Sequence, residues 1–373
     1  METDIVIIGG GVVGCAIAYY LSKASVSVMV VERGEIGAQA SGAAAGLLAP
    51  LGPLSGPGPL ADFLLAGCAL LPRLVETLAV ETGLRTGYRQ IGALRTVLHP
   101  KRVARLKKRW ESWKPLGLPM HWLSGDEARQ LEPQLSPDVC AAVYAPTEGQ
   151  IQARPFVQSL VQAARQRGAI FRTHTEVLAI ERSGARVTGV RTAQGEVLPC
   201  QSLVVAAGAW AAYCAAWLFP EQSHALPIRP LRGQLLSLQQ PVPPLQRIIF
   251  GEAAYLVPGD ETIIVGATRE EAGFDLAVTE DGTAWLQTTA QRLMPVLAHS
   301  EMVTAWAGLR PKTPDNQPLL GPLPGWENVV MAAGHNSIGI MTGALTGQTI
   351  AEFLITGQIA PIIRPFSPER FPS

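Results

Sequence analysis

The sequence predicts an α/β fold in which a Rossmann-like nucleotide-binding domain is joined to a second α+β domain built on a mostly antiparallel sheet. The first domain is predicted by the β-branched run Asp4–Ile8, which is followed by a glycine-rich turn and a helical pattern from Val12 to about Ala24. Two later apolar runs, 203–206 and 328–333, each lead into a glycine turn and indicate further buried strands.

The second domain is predicted from two insertions into the first. Its strands are expected at 88–98, 232–238, 255–258 and 263–268. A helix with a solvated basic face is expected at Pro100–Trp113. The expected division is a nucleotide-binding domain of 1–86, 150–222 and 303–373, and a substrate domain of 87–149 and 223–302. The stretch 36–61, rich in Gly and Pro, is expected to be loop.

Composition narrows the class of protein. The 373 residues carry 30 Lys plus Arg against 30 Asp plus Glu, so no basic surface for nucleic acid is indicated. Only 16% of residues are charged and 47% are hydrophobic, which predicts a large core and is compatible with a homo-oligomer. The uncharged stretch 202–220 is interpreted as a strand, a turn and a helix, so no membrane span is predicted.

The five cysteines argue for a reducing compartment. They are odd in number and none has CxxC spacing, so neither a disulfide framework nor a metal site is expected. The acidic N-terminal residues Glu2 and Asp4 do not fit a signal peptide. A cytoplasmic location is therefore predicted.

The N-terminal unit has the features of a dinucleotide site. Gly9 allows a tight turn, Gly11 lets the backbone approach a pyrophosphate, and Gly14 lets the helix pack closely on the strand. Glu32 ends the second strand, 18 residues after the last of these glycines, where it can accept hydrogen bonds from a ribose 2′-hydroxyl. This disfavours NADP but does not distinguish FAD from NAD.

Two further segments favour FAD. After Glu32 the chain continues as a Gly- and Ala-rich loop that contains Ser41, whereas an NAD enzyme usually returns there to alternating strands and helices. Small side chains let such a loop run along an extended cofactor. Near the C-terminus, a helix beginning at about Gly339 would direct its positive end at the pyrimidine part of a flavin.

At this point the sequence resembles a known family, the D-amino acid oxidase superfamily, and within it the glycine oxidases, including those of thiamine biosynthesis. The resemblance covers almost the whole chain. It is carried by GGGVVG at 9–14, VVERG at 30–34, ASGAAAGLLAP at 40–50, EGQI at 148–151, VVAAGAW at 204–210, YLVP at 255–258, VGAT at 265–268, WAGLRPKTPD at 306–315 and AAGH at 332–335. It implies an FAD-binding domain of the GR2, or D-amino acid oxidase, type.

The resemblance also implies which residues contact FAD. They are expected in every segment of the nucleotide-binding domain: Gly9, Gly11, Val12, Val13, Gly14, Glu32, Arg33, Ala40, Ser41, Ala45, Gly46, Leu47, Val177, Gly208, Trp210, Gly334, His335, Asn336, Ser337, Ile338, Gly339, Ile340 and Met341. Relatives that link the flavin covalently do so through a cysteine beside the C-terminal motif. Here no cysteine follows Cys214, so non-covalent FAD is expected.

For the substrate, the resemblance implies that Arg310 binds a carboxylate and that Tyr255 is the active-site tyrosine. An arginine fork suits a carboxylate by its geometry, although a buried structural ion pair would need the same residue. Three positions depart from the glycine oxidase pattern: Ser337 replaces an arginine, Arg269 a methionine and Leu47 a methionine. Arg269 would either pair with a second acidic group or extend into water at the pocket rim.

The predicted activity is oxidation of a small amine or amino acid, with glycine, sarcosine, N-substituted glycines and D-amino acids as candidates. In the expected reaction, hydride passes from the α-carbon to flavin N5. The resulting imine hydrolyses to an oxo acid plus ammonia or an amine, and O₂ is reduced to hydrogen peroxide. The alternatives are a dehydrogenase that uses a quinone or protein acceptor, and a flavin-binding structural subunit.

Overall fold

The computed structural model describes residues 3–219 and 226–371. Its α-helices are α1 Val12–Lys23, α2 Ala40–Ala43, α3 Pro59–Thr82, α4 Pro100–Trp113, α5 Gly125–Leu131, α6 Ala153–Gln166, α7 Ala211–Leu218, α8 Glu280–Leu293 and α9 Gly339–Thr356. Its strands are β1 Thr3–Ile8, β2 Val28–Val31, β3 Leu47–Leu48, β4 Ala93–Val97, β5 His121–Ser124, β6 Ala141–Ala145, β7 Gly149–Gln150, β8 Ile170–Arg172, β9 Val177–Ser183, β10 Arg186–Thr192, β11 Val197–Val205, β12 Arg229–Gln239, β13 Ile248–Phe250, β14 Tyr255–Pro258, β15 Thr262–Gly266, β16 Met302–Lys312, β17 Leu319–Pro322 and β18 Val329–Ala333.

The first sheet confirms the predicted nucleotide-binding fold. Its order is β17-β18-β11-β1-β2-β8, with β10 and β9 attached to β11. Strand β1 lies parallel to both β2 and β11, so that Ile7 is opposite Val30 on one side and Val204 on the other. All three side chains are fully buried, as the uninterrupted apolar runs require when both faces of a parallel sheet are covered.

Glycines set the turn between β1 and α1. Gly9 has φ +109°, and a Cβ there would overlap the carbonyl group of Ala206. A Cβ on Gly14 would overlap the carbonyl oxygen of Gly9. The turn therefore brings β1, β11 and the first turn of α1 closer together than any side chain would permit.

The second sheet is mostly antiparallel, as predicted, with the order β16-β12-β15-β14-β13-β4-β6-β5. One pair, β13 with β4, is parallel. The expected domain boundary at residue 303 lies one residue into β16, which is hydrogen-bonded to β12 in this sheet. The boundary at 222/223 lies outside the described residues, and the division into domains stays a prediction.

The stretch 36–61 contains more regular structure than predicted. It includes α2, the short strand β3 paired with β7, and the first turn of α3. Because β3 is two residues long and pairs with a strand about 100 positions away, no local periodicity reveals it.

Helix α3 was not singled out by the sequence. By length and composition it is apolar enough to cross a membrane, with 39% of its most apolar window buried. One face, which includes Phe63, Leu64 and Leu71, packs into the core beneath the first sheet. The stretch 202–219 instead forms the end of β11, a 3-10 turn and α7, as expected, and Pro220 lies outside the described residues. The absence of a membrane span and the cytoplasmic location stay predictions.

A buried ion pair connects the second sheet to the loop that follows β3. Arg95 in β4 donates two hydrogen bonds, of 2.5 and 2.8 Å, to the carboxylate of Glu148. Their side chains are only 6% and 1% exposed. Glu148 also accepts the backbone N–H of Leu51 at 3.1 Å, so the pair fixes a loop of the first domain against a strand of the second sheet.

We expect Glu148→Gln to destabilise the protein by about 3–5 kcal/mol, because it leaves the Arg95 guanidinium buried without a counter-charge. Chemical denaturation followed by fluorescence measures the loss. The control is Glu196→Gln, which breaks the exposed pair with Arg172 and should leave the unfolding midpoint unchanged within error. Equal effects of the two substitutions would contradict a special role for the buried pair.

Candidate active site

One large cavity, of about 690 Å³, is lined by residues of both sheets. Most of the predicted cofactor and substrate residues line it: Gly11, Val12, Val13, Ala40, Ser41, Ala45, Gly46, Leu47, Gly208, Tyr255, Arg269, Gly334, His335, Asn336, Ser337, Gly339, Ile340, Met341 and Arg310. The structure therefore brings together residues that lie up to 330 positions apart, from Gly11 to Met341.

Seven predicted residues do not line the cavity: Gly9, Gly14, Glu32, Arg33, Val177, Trp210 and Ile338. Glu32 holds the surrounding backbone, since its carboxylate accepts the N–H groups of Gly10 at 2.8 Å and Gly34 at 2.9 Å. The guanidinium of Arg33 lies over the ring of Trp210, 3.9 Å from its centroid. Their predicted contacts with FAD stay predictions.

One end of the cavity is formed by backbone and small side chains. Gly11 is the N-cap residue of α1 and makes no side-chain cap, and the first turn of α1 carries no acidic residue. The N–H of Val12 donates to Ser41 Oγ at 2.9 Å. Gly46 has φ +76°, and a Cβ there would overlap the carbonyl group of Ile151. This end thus presents a helix N-terminus and room for close approach, which suits a phosphate group.

The segment 334–341 forms a second wall. His335 is buried, and its Nε2 lies 3.0 Å from Thr346 Oγ1. Burial lowers the pKa of His335 to about 4, so the imidazole is neutral at pH 7. Asn336 adopts φ +47° and donates its N–H to the Pro311 carbonyl oxygen, while Ser337 is exposed and α9 begins at Gly339.

Arg310 lies on β16 at the opposite end of the cavity. Its Nη1 donates to the Thr268 carbonyl oxygen at 3.0 Å, and no described residue forms an ion pair with it. Burial, and then the positive charge of Arg269, lower the pKa of the guanidinium, which nevertheless stays protonated at neutral pH. A Cβ on Gly233 would overlap this guanidinium, so the glycine provides the space in which Arg310 lies.

Tyr255 begins β14 beside Arg310. Burial raises the pKa of its phenol, whereas the charges of Arg310 and Arg269 act in the opposite direction, so the phenol is protonated at neutral pH. A Cβ on Gly266 would lie 2.5 Å from the Tyr255 hydroxyl oxygen, and this second glycine leaves room for the ring.

The positions that depart from the predicted pattern also line the cavity. Leu47 is half-buried in β3, and Arg269 is exposed and forms no ion pair with the described residues. Its charge nevertheless reaches both Tyr255 and Arg310, whose pKa values it lowers.

The basic residues of α4 are exposed, as expected for a solvated face, but the structure adds a feature that was not predicted. Arg102, Arg105 and Arg109 are exposed, but they also line the cavity, together with Leu106 and Trp113. The spacing of these residues, three or four positions apart, is the signal in the sequence that would have revealed one face of a helix. What that face would meet could not be known, because the cavity is formed by segments distant in the chain.

Comparison with known proteins identifies the family. Residues 4–353 match the family described as FAD dependent oxidoreductase. The chain belongs to this family. The glycine oxidase of Geobacillus kaustophilus is 33% identical over 98% of this chain and 96% of its own length. Its crystal structure superposes on this one with a TM-score of 0.93, and the match covers 100% of each chain.

Two further relatives differ in the activities that their names describe. The bifunctional protein ThiO/ThiG of Synechocystis sp. is 35% identical over 99% of this chain, which spans 54% of that protein. The structure of iminodiacetate oxidase from Chelativorans sp. BNC1 is 25% identical, covers 98% of each chain and has a TM-score of 0.87. This FAD-dependent oxidoreductase is therefore an amine- or amino-acid-oxidising flavoenzyme, which confirms the predicted fold, enzyme class and cofactor.

The cavity of this oxidoreductase fits FAD. Its lining at Gly11, Val12 and Gly46 is backbone and small side chains, which suits the phosphates, and the same cavity is lined by Tyr255 and Arg310. None of the five cysteines lines it, and all five lie in the described part of the chain. A thioether to the flavin is therefore not available.

We expect the purified oxidoreductase to be yellow and to release intact FAD on acid precipitation, because no cysteine reaches the cavity. Absorbance and mass spectrometry of the supernatant measure the released cofactor. Colour that remains with the precipitated polypeptide would show a covalent link and contradict the prediction.

Proposed function

We propose that the enzyme oxidises a small amine or amino acid bearing a carboxylate, with O₂ as the electron acceptor. The substrate carbon–nitrogen bond becomes an imine, which water hydrolyses to an oxo acid plus ammonia or an amine, and O₂ becomes hydrogen peroxide. The named activities of the glycine oxidase and iminodiacetate oxidase relatives support this proposal, since both names describe oxidation of a carboxylate-bearing amine.

The observation that carries the proposal is Arg310. A half-buried guanidinium that has no acidic partner among the described residues costs free energy unless an anion binds it. Within the described part of the chain, its guanidinium donates only to backbone carbonyl oxygens, at 3.0 Å to Thr268 and 3.5 Å to Arg232, so most of its donors remain for a ligand. A planar carboxylate matches the remaining fork.

The chain contributes binding and orientation. FAD, when bound, supplies the acceptor for the hydride. Arg310 holds the carboxylate and Tyr255 borders the same space, so the substrate is oriented by its acid group and the reaction gains from positioning. Of the other titratable lining residues, His335 is neutral and bonded to Thr346, and Glu252 pairs with Arg102. No described residue is placed as a strong base, which fits a reaction that needs none.

The substrate is proposed to differ from free glycine. Exposed Ser337 provides no cationic donor, and Arg269 adds a positive charge near Arg310 and Tyr255. Both changes favour a larger or more acidic substituent on the amine or α-carbon. Sarcosine, other N-substituted glycines, D-amino acids and iminodiacetate are the candidates, and the role in thiamine biosynthesis stays a prediction.

A screen for peroxide release tests the proposal directly. Glycine, sarcosine, D-alanine, D-proline, N-alkylglycines and iminodiacetate would be offered to the holoenzyme under air. Flavin bleaching under anaerobic conditions, followed by stopped-flow reoxidation with O₂, separates an oxidase from a dehydrogenase. Bleaching that only a quinone reverses would replace the oxidase proposal by a dehydrogenase, and glycine as the best substrate would refute the altered pocket.

We expect Arg310→Lys to weaken substrate binding by roughly 10–150-fold, because lysine keeps the charge but loses a charge-assisted two-pronged contact, at about 1.5–3 kcal/mol. Flavin affinity should stay unchanged. Anaerobic titration of flavin absorbance with the best substrate measures binding. The control is Arg229→Lys, an exposed arginine on β12 outside the cavity. Equal substrate affinity in the parent and in Arg310→Lys would show that Arg310 does not hold the substrate carboxylate in a two-pronged contact.

We expect Arg269→Met to lower kcat/KM for the best substrate while relatively sparing glycine, because it removes a charge from the substrate end of the cavity. The ratio of the two specificity constants is the quantity to measure. Arg229→Met removes the same charge from an exposed site outside the cavity and should leave that ratio unchanged. A ratio that also stays constant in Arg269→Met would show that this side chain extends into water without contacting substrate.

A further inference from the structure

The basic residues of α4 are divided between two faces. Arg102, Arg105 and Arg109 recur at intervals of three and four residues and line the cavity. Lys101, Lys107 and Lys108, which complete the basic run, do not line it and are exposed. The cavity face therefore carries only arginines, which bind carboxylates in a fork geometry that lysine cannot reproduce.

The cavity as a whole has an excess of positive charge, although the protein has equal numbers of acidic and basic residues. Its lining contains six arginines and one acidic residue: Arg95, Arg102, Arg105, Arg109, Arg269 and Arg310, with Glu252. Arg95 is neutralised by Glu148, and Arg102 lies 3.4 Å from Glu252. Arg105 and Arg109 form no ion pair with any described residue.

Arg109 is held at the cavity wall with donors to spare. Its Nη2 donates to the Gly52 carbonyl oxygen at 2.9 Å, and its guanidinium lies 4.7 Å from the Trp113 ring centroid. Burial, and then the charges of Arg95 and Arg105, lower the pKa of Arg109. The guanidinium groups of α4 are thus near enough to repel one another, and an anion between them would relieve that repulsion.

An apolar wall connects the α4 arginines to Arg310, which is proposed to bind a carboxylate. The Arg95 guanidinium lies 5.5 Å from the centroid of Trp113 and 4.7 Å from that of Phe250. Phe250 in turn lies 6.0 Å from Tyr255 between ring centroids. The cavity therefore has two cationic regions, Arg310 and the α4 arginines, connected by aromatic rings that line or adjoin it.

We propose that Arg105 and Arg109 form a second anion subsite, and that the substrate is a dianion. Its α-carboxylate lies on Arg310, and a second carboxylate, on an extended substituent of the amine or the α-carbon, lies on α4. This identification of the substrate class rests on the proposed function, whereas binding of the two carboxylates does not require turnover. A monocarboxylate such as glycine would leave the α4 subsite to water.

A series of unbranched α,ω-dicarboxylates, from succinate to pimelate, measures the span between Arg310 and the α4 subsite without any turnover. Each is compared with the monocarboxylate of the same chain length, using the shift in flavin absorbance and in the melting temperature of the holoenzyme. One chain length should bind at least about tenfold more tightly than its monocarboxylate, as expected for an added charge-assisted contact.

Two double variants that remove the same charge, together with one single variant, separate direct contact from a general electrostatic field. Arg105→Gln, alone or with Arg109→Gln, should reduce the preference for the dicarboxylate to within about twofold. Lys107→Gln with Lys108→Gln removes charge from the outer part of the same helix and should leave the preference intact. The single variant keeps the Arg109 contact with Gly52, so a folding defect in the double variant does not decide the result.

Two results would overturn the subsite. Dicarboxylates that bind no better than monocarboxylates at every chain length exclude it. An equal loss in the lysine variant would show that the helix acts only through its long-range field, which 0.5 M salt should then abolish. The proposed function fails separately, if dicarboxylates bind as expected but no amine or amino acid bleaches the flavin.

Discussion

The position of the cavity depends on the buried pair of Arg95 and Glu148. The lining comes from two sheets, and this pair joins a strand of the second sheet to the loop that follows β3. A buried ion pair contributes little net stability compared with apolar packing. Separating its partners, however, leaves two charges buried without a counter-charge, which costs free energy. The pair therefore opposes any arrangement of the two sheets that would separate Arg95 from Glu148.

The cavity has different chemistry at its two ends. Near α1, the wall is backbone and small residues, with a helix N-terminus that suits a phosphate group. Near Arg310, the wall consists of side chains, whose charges are not balanced by acidic residues of the described chain. The predicted cofactor contacts thus lie on features common to the fold, whereas the proposed substrate contacts are a few side chains that can change without altering it.

The sequence predicted best what is local. The unit from Asp4 to Glu32 carries its own glycines, periodicity and acidic residue, and each was found where the pattern placed it. The roles of Arg310 and Tyr255 were predicted only from the resemblance to a family. No local pattern distinguishes an arginine that binds a substrate carboxylate from one in a structural ion pair. That Arg310 has no acidic partner among the described residues is information that only the folded chain contains.

What the sequence did not reveal depends on distant contacts. Strand β3 exists because Leu47 pairs with Gln150, and Gly233 matters because Arg310 lies above it. The arginine face of α4 has a clear period, yet the same period would describe a helix facing water. Its meaning comes from the loops at 49–53 and 250–254, which line the same cavity.

The pairing of β12 with β16 sets a limit on how this enzyme can diverge. Arg310 lies opposite Leu231 in an antiparallel ladder, two residues from the pair Gly233 and Gly308. Because neighbouring residues in a strand point to opposite faces, slipping the ladder by one residue would turn the guanidinium away from the cavity. Insertions and deletions should therefore accumulate in the connection between these strands, while the two strands keep their length and register through evolution.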